Sequence, residues 1–224
     1  MTSPKPDRDD PWVLHFTPLE NLAGIVASGL LADNFRPPGV QECGMPSIKG
    51  NRRRRAVPLA PHGVVADYVP FYFAEKSPML NSIVKGGVPT YQGTESELIY
   101  LVSRVSKIEE HGRRWLATDR NAVLRTARFV DDRSRLPHHI DWDVMEARYW
   151  YNTADDGSRK ERRMAELLVH EHVPWEAFVC LAACCGRRAD EVERIAAASG
   201  HRPSVYVRTH WYFGVPRDCE CGGG

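Results

Sequence analysis

No run of about 18 apolar residues occurs in this chain, so a membrane-spanning helix is not expected. Residues 1–10 contain no apolar core of the kind a secretory signal needs, and a cytoplasmic location is expected. Paired Cys-x-x-Cys units, the mark of many zinc sites, are missing as well. The six cysteines are Cys43, Cys180, Cys184, Cys185, Cys219 and Cys221, and small-residue core packing is the better account of the three that fall in the apolar run 178–185. No metal is expected. Gly-x-Gly-x-x-Gly and P-loop patterns are absent, which removes support for the two common nucleotide-binding folds, and no segment repeats. Nor does one sign of charge prevail: 30 Lys and Arg against 29 Asp and Glu leave +1, so affinity for nucleic acid has to come from local clusters.

What is present is the composition of an ordinary globular protein, 224 residues with 42% hydrophobic and 26% charged. One domain is expected over residues 12–213, with disordered segments at 1–11 and 214–224. Two basic clusters stand out, Arg52 to Arg55 and Arg159 to Arg163. Each is either a phosphate-binding patch or a solvated loop face.

Taken along the chain, residues 12–17 have strand composition. Thr17, Pro18 and Glu20 then form the pattern of an N-cap, a first helical residue and a capping box, with Leu19, Leu22, Ile25 and Val26 as the apolar face and Gly29 as the stop. His15 is thereby carried to a strand end beside a helix start, where it serves either as a ligand contact or as a structural side chain. Residues 34–63 are rich in proline and arginine, and an irregular stretch of this length is a binding element or a loose surface excursion. Strands are expected at 69–74, 97–102, 177–185 and 204–212, and helices after Ser77-Pro78, at 141–149 and at 189–198. The segment 106–121 reads as polar. Tyr72 is a candidate stacking ring or a core aromatic. His170 and His172 would share one face of a strand, a spacing also common on exposed faces.

Glu166 heads the apolar run Leu167-Leu168-Val169. A carboxylate at the mouth of a core strand is either ion-paired scaffolding or part of the chemistry. Strands outnumber helices without regular alternation, so the class is α+β with a mixed or antiparallel central sheet.

Further motifs carry a resemblance. Val13-Leu14-His15-Phe16-Thr17, Gly29-Leu30-Leu31-Ala32, Arg52, Tyr68-Val69-Pro70-Phe71-Tyr72 with Ser77-Pro78-Met79-Leu80, Ala165-Glu166-Leu167-Leu168-Val169 with Pro174-Trp175, and Trp211-Tyr212 follow one order from residue 12 to 213. Together they resemble the DarT family, bacterial toxins that transfer ADP-ribose from NAD to bases of single-stranded DNA. The resemblance implies an ADP-ribosyltransferase-like split sheet around an NAD cleft, NAD as co-substrate, and a macrodomain (DarG-like) antitoxin as partner. It places the catalytic roles on Glu166 and Arg52, and NAD contacts on Leu14, His15, Phe16, Ala23, Leu31 and Arg52. Residues 37–54 become the NAD-binding element and 121–166 the substrate-facing loop. The family's proton-acceptor role falls on Arg52, but a guanidinium stays protonated, so stabilising a developing base anion and the pyrophosphate suits it better. Glu166 would stabilise the oxocarbenium-like charge on ribose, and thymine N3 is the implied nucleophile. Arg53, Arg54 and Lys160 are expected along the DNA phosphates, with an exposed Met79 against a base. A protein-directed transferase or NAD glycohydrolase, and a non-catalytic nucleic-acid-binding module, remain the competing readings.

Overall fold

The structure is a computed structural model that describes residues 7–214. Most of the two segments expected to be disordered, 1–6 and 215–224, lies outside the described residues, as do Cys219 and Cys221. Residues 7–11 make defined contacts: the Asp10 carboxylate accepts from Ser106 N and Oγ, each at 2.8 Å.

Among the described residues ten strands form in chain order: β1 Trp12–Pro18, β2 Leu30–Leu31, β3 Tyr68–Tyr72, β4 Leu98–Arg104, β5 Trp115–Thr118, β6 Phe129–Val130, β7 Glu166–His170, β8 His172–Val173, β9 Cys180–Ala183 and β10 Ser204–Val207. Eight α-helices accompany them among the described residues: α1 Leu22–Ser28, α2 Pro46–Arg52, α3 Pro78–Val84, α4 Val105–Glu110, α5 Leu136–His139, α6 Trp142–Glu146, α7 Arg159–Arg162 and α8 Gly186–Ala196. Eight strands make one sheet in the order β10-β9-β4-β1-β3-β7-β5-β6, and every neighbouring pair is antiparallel except β10–β9. Strands β2 and β8 make a separate small ladder.

Period-two alternation divides the side chains between two cores. Val13, Ile99, Leu101, Phe71 and Leu167 face a core shared with Leu22, Ile25 and Val192 of α1 and α8. Leu14, Phe16, Tyr100 and Val102 face the other, with Met79, Leu80 and Ile83 of α3. The sheet is nearly divided along its middle. β1 and β4 pair at seven positions and β3 and β7 at five, whereas β1 and β3 meet at the single pair Leu14↔Tyr72. The expected split sheet is this seam.

Several local expectations change. Thr17 and Pro18 stay in β1, because Pro18 is extended (ψ 139) and pairs with Leu98. The capping box therefore does not form; Asn21 Nδ2 donates to Thr17 Oγ1 (3.0 Å) and to Gln41 O (2.9 Å), tying the turn to the following loop. Gly29 does end α1. Its φ of 77° and the 2.1 Å that would separate a Cβ from His172 Nε2 leave room for glycine alone. The irregular stretch 34–63 contains α2, which begins at Pro46 as a first-turn proline can. The polar segment 106–121 hides α4 and the fully buried β5. Ser77 caps α3 as expected, accepting from Leu80 N at 3.2 Å. α8 starts three residues earlier than expected, and β10 stops at Val207. His170 and His172 do not share a strand face, since Glu171 between them turns the chain with φ 60°. Among the described residues no helix is long and apolar enough to cross a membrane, and no cluster of His, Cys, Asp or Glu is arranged to hold a metal.

Candidate active site

Glu166 is the first residue of β7, flanked in register by Tyr72 on β3 and Thr118 on β5. With Leu167 committed to the larger core, alternation turns Glu166 to the opposite face, where Tyr72 also points. Its side chain is 3% exposed. A buried carboxylate needs partners, and it has them. Oε2 accepts from Arg52 Nη1 at 2.7 Å, and Oε1 accepts from Ala122 N at 3.4 Å. Glu166 N donates to Thr118 Oγ1 at 3.2 Å, and that hydroxyl donates to Arg120 O at 2.7 Å.

Arg52 reaches Glu166 as the last residue of α2, where a cation suits the negative end of the helix dipole. The helix is held from outside: Lys49 Nζ bridges Asp33 and Glu42, each at 2.5 Å, and Arg53 Nη2 reaches Asp33 at 2.8 Å. Arg52 Nη2 is buried and has no hydrogen-bond partner among the described residues. An unmade bond of this kind costs about 1–3 kcal/mol, so the site holds a cationic donor suited to an anionic or carbonyl acceptor.

His15 closes the seam. Its Nδ1 lies 2.7 Å from Pro70 O, which only accepts, so Nδ1 carries the hydrogen and Nε2 is left as an acceptor. Burial pushes its pKa down to about 4, against the raising effect of the Pro70 hydrogen bond and with help from Arg36 and Arg52. The imidazole is neutral at neutral pH. On the opposite face of β1, Phe16 stacks on Tyr72 with centroids 6.1 Å apart and planes at 12°. Burial raises the Tyr72 phenol well above the ordinary range, and the Glu166 carboxylate adds to the effect. The phenol stays protonated. Past the end of β1 a cleft of about 480 Å³ is lined by Pro18, Glu20, Gln41, Tyr91 and Arg188 among others.

Of the site residues named from sequence, Arg52 and Glu166 are in direct contact, and Leu14, His15 and Phe16 lie along the seam strand. Leu31 is half-buried on β2, where its carbonyl accepts from Arg36 Nε at 3.3 Å. Ala23 is exposed on α1 and lines a separate recess against Ile195, Ala198 and Ser199. Arg53, Arg54 and Lys160 are exposed. Met79 is not exposed as expected; the inward face of α3 buries it in the smaller core, at 9% exposure. Thr118 and Ala122 carry no local signal in the sequence, because their contact with Glu166 depends on the β5–β7 register.

A sheet split at its centre, with a buried Glu–Arg pair beside the split, is what the resemblance to ADP-ribosyltransferases of the DarT family implies. Residues 14–213 match the family described as "ssDNA thymidine ADP-ribosyltransferase, DarT", and the chain belongs to that family. It is 37% identical over 204 residues to a DNA ADP-ribosyl transferase of Thermus sp. (strain 2.9), covering 90% of this chain and 95% of that protein. The solved structure of Thermus sp. 2.9 DarT in complex with ADP-ribosylated ssDNA is similar at a TM-score of 0.85 and 34% identity, covering 95% of this chain and 100% of that one. The same relative in complex with NAD+ gives a TM-score of 0.82 at 34% identity, with the same two shares covered.

Proposed function

We propose that this protein transfers ADP-ribose from NAD to thymidine bases in single-stranded DNA. The observation that carries the reading is the buried Arg52–Glu166 contact at the seam, with Arg52 Nη2 still able to donate. Family membership and relatives solved with NAD+ and with ADP-ribosylated ssDNA support it.

NAD supplies an ADP-ribosyl group joined to a good leaving group, nicotinamide. The protein's task is electrostatic. Glu166, as a carboxylate, accepts hydrogen bonds from ribose hydroxyls and offsets the positive charge that grows on the ribose carbon as its bond to nicotinamide breaks. Arg52 stays protonated and faces negative charge, on the pyrophosphate or on the thymine as the N3 proton leaves. Neutral His15 adds no like charge beside Arg52. Leu14, His15, Phe16 and Leu31 are the further NAD contacts in this reading, and Arg53, Arg54 and Lys160 meet DNA phosphates. A single-stranded substrate follows because thymine N3 is paired within a duplex. The reading includes a cytoplasmic site of action, a single domain over 12–213, and a macrodomain (DarG-like) antitoxin that removes the mark.

The test is mass spectrometry of mixed-sequence single strands after incubation with NAD. Strands that contain thymidine gain one ADP-ribosyl mass, thymidine-free strands do not, and the same sequences in duplex form react poorly. NAD consumed without labelled DNA would point to a glycohydrolase or a protein-directed transferase. Salt-sensitive binding of oligonucleotides with NAD intact would leave only a nucleic-acid-binding module.

A further inference from the structure

Resting on single-stranded DNA as the substrate, a second contact surface emerges between α6 and α7 that the chemistry at Glu166 does not use. Tyr149 is 69% exposed and Tyr151 is 48% exposed, while Trp150 between them is buried. The Tyr151 ring stacks on Trp150 with centroids 4.7 Å apart and planes at 30°. The Arg163 guanidinium also lies over Trp150, 5.9 Å from the ring centre.

Arg163 roots this pillar at the active-site rim. Its Nη1 donates to Val144 O (2.9 Å), Met145 O (2.6 Å) and Ala147 O (3.4 Å), and its Nη2 to Glu75 O (2.5 Å). Arg163 stands three residues before Glu166 and Glu75 three residues after Tyr72, and Glu166 and Tyr72 are paired neighbours. The other end of the segment is fastened to α7, where Arg159 Nη2 donates to Tyr149 O (3.1 Å) and Asn152 Oδ1 accepts from Lys160 N (2.9 Å). Arg148 lies 5.3 Å over the Tyr149 ring. Arg148, Arg159 and Lys160 form no ion pair among the described residues. Of the nearby acids, Asp156 is held by Arg162 at 2.5 Å, Glu161 lies 3.8 Å from Arg120, and Asp155 is exposed.

We propose that Tyr149 and Tyr151 are a stacking platform for nucleobases that flank the target nucleotide, with Arg148, Arg159 and Lys160 along the adjoining phosphates. Fixed exposed rings interleaved with cations match a strand in which bases alternate with phosphates. A duplex hides its base faces and cannot use the rings. The platform's position selects strands long enough to reach from Glu166 to Tyr149 and Tyr151.

The test measures fluorescence anisotropy of a dye-labelled mixed-sequence single strand, together with the KM for that strand in the transfer assay. Tyr149→Ala/Tyr151→Ala weakens binding of a long strand about tenfold or more and raises its KM in parallel. On a thymidine nucleotide that has no flanking bases it behaves as the unchanged protein does. Tyr149→Phe/Tyr151→Phe keeps both rings and retains binding, which separates stacking from a folding defect. Long-strand binding unchanged in the alanine variant overturns the proposal. So does a variant that holds DNA normally but no longer binds the antitoxin, since the rings would then serve a protein partner. If no strand gains ADP-ribose, the functional reading fails, while anisotropy still reads the platform.

Discussion

The two arginine clusters look alike in sequence and do opposite work. In the first, Arg52 turns inward to Glu166, while Arg53 reaches Asp33, Arg54 reaches Asn51 Oδ1, and Arg55 lies 6.0 Å over Phe129. In the second, the two inward residues are scaffolding. Arg162 binds Asp141 (2.7 Å) and Asp156, and Arg163 binds four backbone carbonyls. The last residue of α2 reaches Glu166, whereas the inward arginines of the second cluster are taken up before β7 begins, Arg162 by carboxylates and Arg163 by backbone carbonyls. A run of positive charge therefore counts for less than its length suggests, and only its outward members remain for phosphate.

The sharpest break in this comparison comes from charge removal at the first cluster's partner. Glu166→Gln keeps the shape and most hydrogen bonding, and the transfer rate should fall by about two to three orders of magnitude with NAD affinity little changed. Single-turnover labelling and thermal melting on one preparation decide the matter. A protein that melts early yet modifies DNA at the normal rate would make Glu166 scaffolding, like Arg162 and Arg163.

At the second cluster, Arg163→Met strips four carbonyls of their donor. Stability should drop by about 3 kcal/mol or more, lowering the melting temperature by about 10 °C. Burial lowers the Arg163 pKa to about 10, which still leaves it charged at neutral pH. A melting temperature equal to that of the unchanged protein would show that the guanidinium is dispensable.

His15 sharpens the contrast through pH. Its folded pKa of about 4 lies below the ordinary 6.5, so the unfolded chain binds the extra proton first as pH falls. The penalty is absent above pH 6.5, grows as pH drops toward 4 and then levels off, reaching about 3 kcal/mol. His15→Gln should lose less stability between pH 7 and pH 4.5 in urea unfolding than the unchanged protein does. Equal losses would mean that His15 is not held neutral.

The smallest effect tests the outward members. Neutralising Arg53, Arg54 and Lys160 together should weaken binding to single-stranded DNA and flatten the salt dependence by about two in slope, leaving NAD binding intact. An unaltered slope would put the phosphates elsewhere.

Local signals carried much of the fold. The run Leu167-Leu168-Val169 declared a buried strand, Ser77-Pro78 opened α3, and Gly29 closed α1. Where tertiary pairing competed, it prevailed. Thr17 and Pro18 carry a strong helix-start pattern, yet seven ladder positions with β4 kept them extended. β5 was invisible because four residues between charged neighbours show no usable period; it is a strand because β7 pairs with it. Met79 fits an exposed contact by motif and a core residue by helix geometry, and the core claimed it.

By itself the sequence determined the α+β class, the strands that carry His15 and Glu166, and the ordered motifs of the family, since each is written in contiguous residues. Only the tertiary structure decided that Arg52 and Glu166, 114 positions apart, meet at 2.7 Å. It alone turned Arg163 into an anchor and set Tyr149 and Tyr151 facing outward. The reason is physical: where a side chain points depends on which strand pairs beside it and which face the core takes, and neither is a property of the local run.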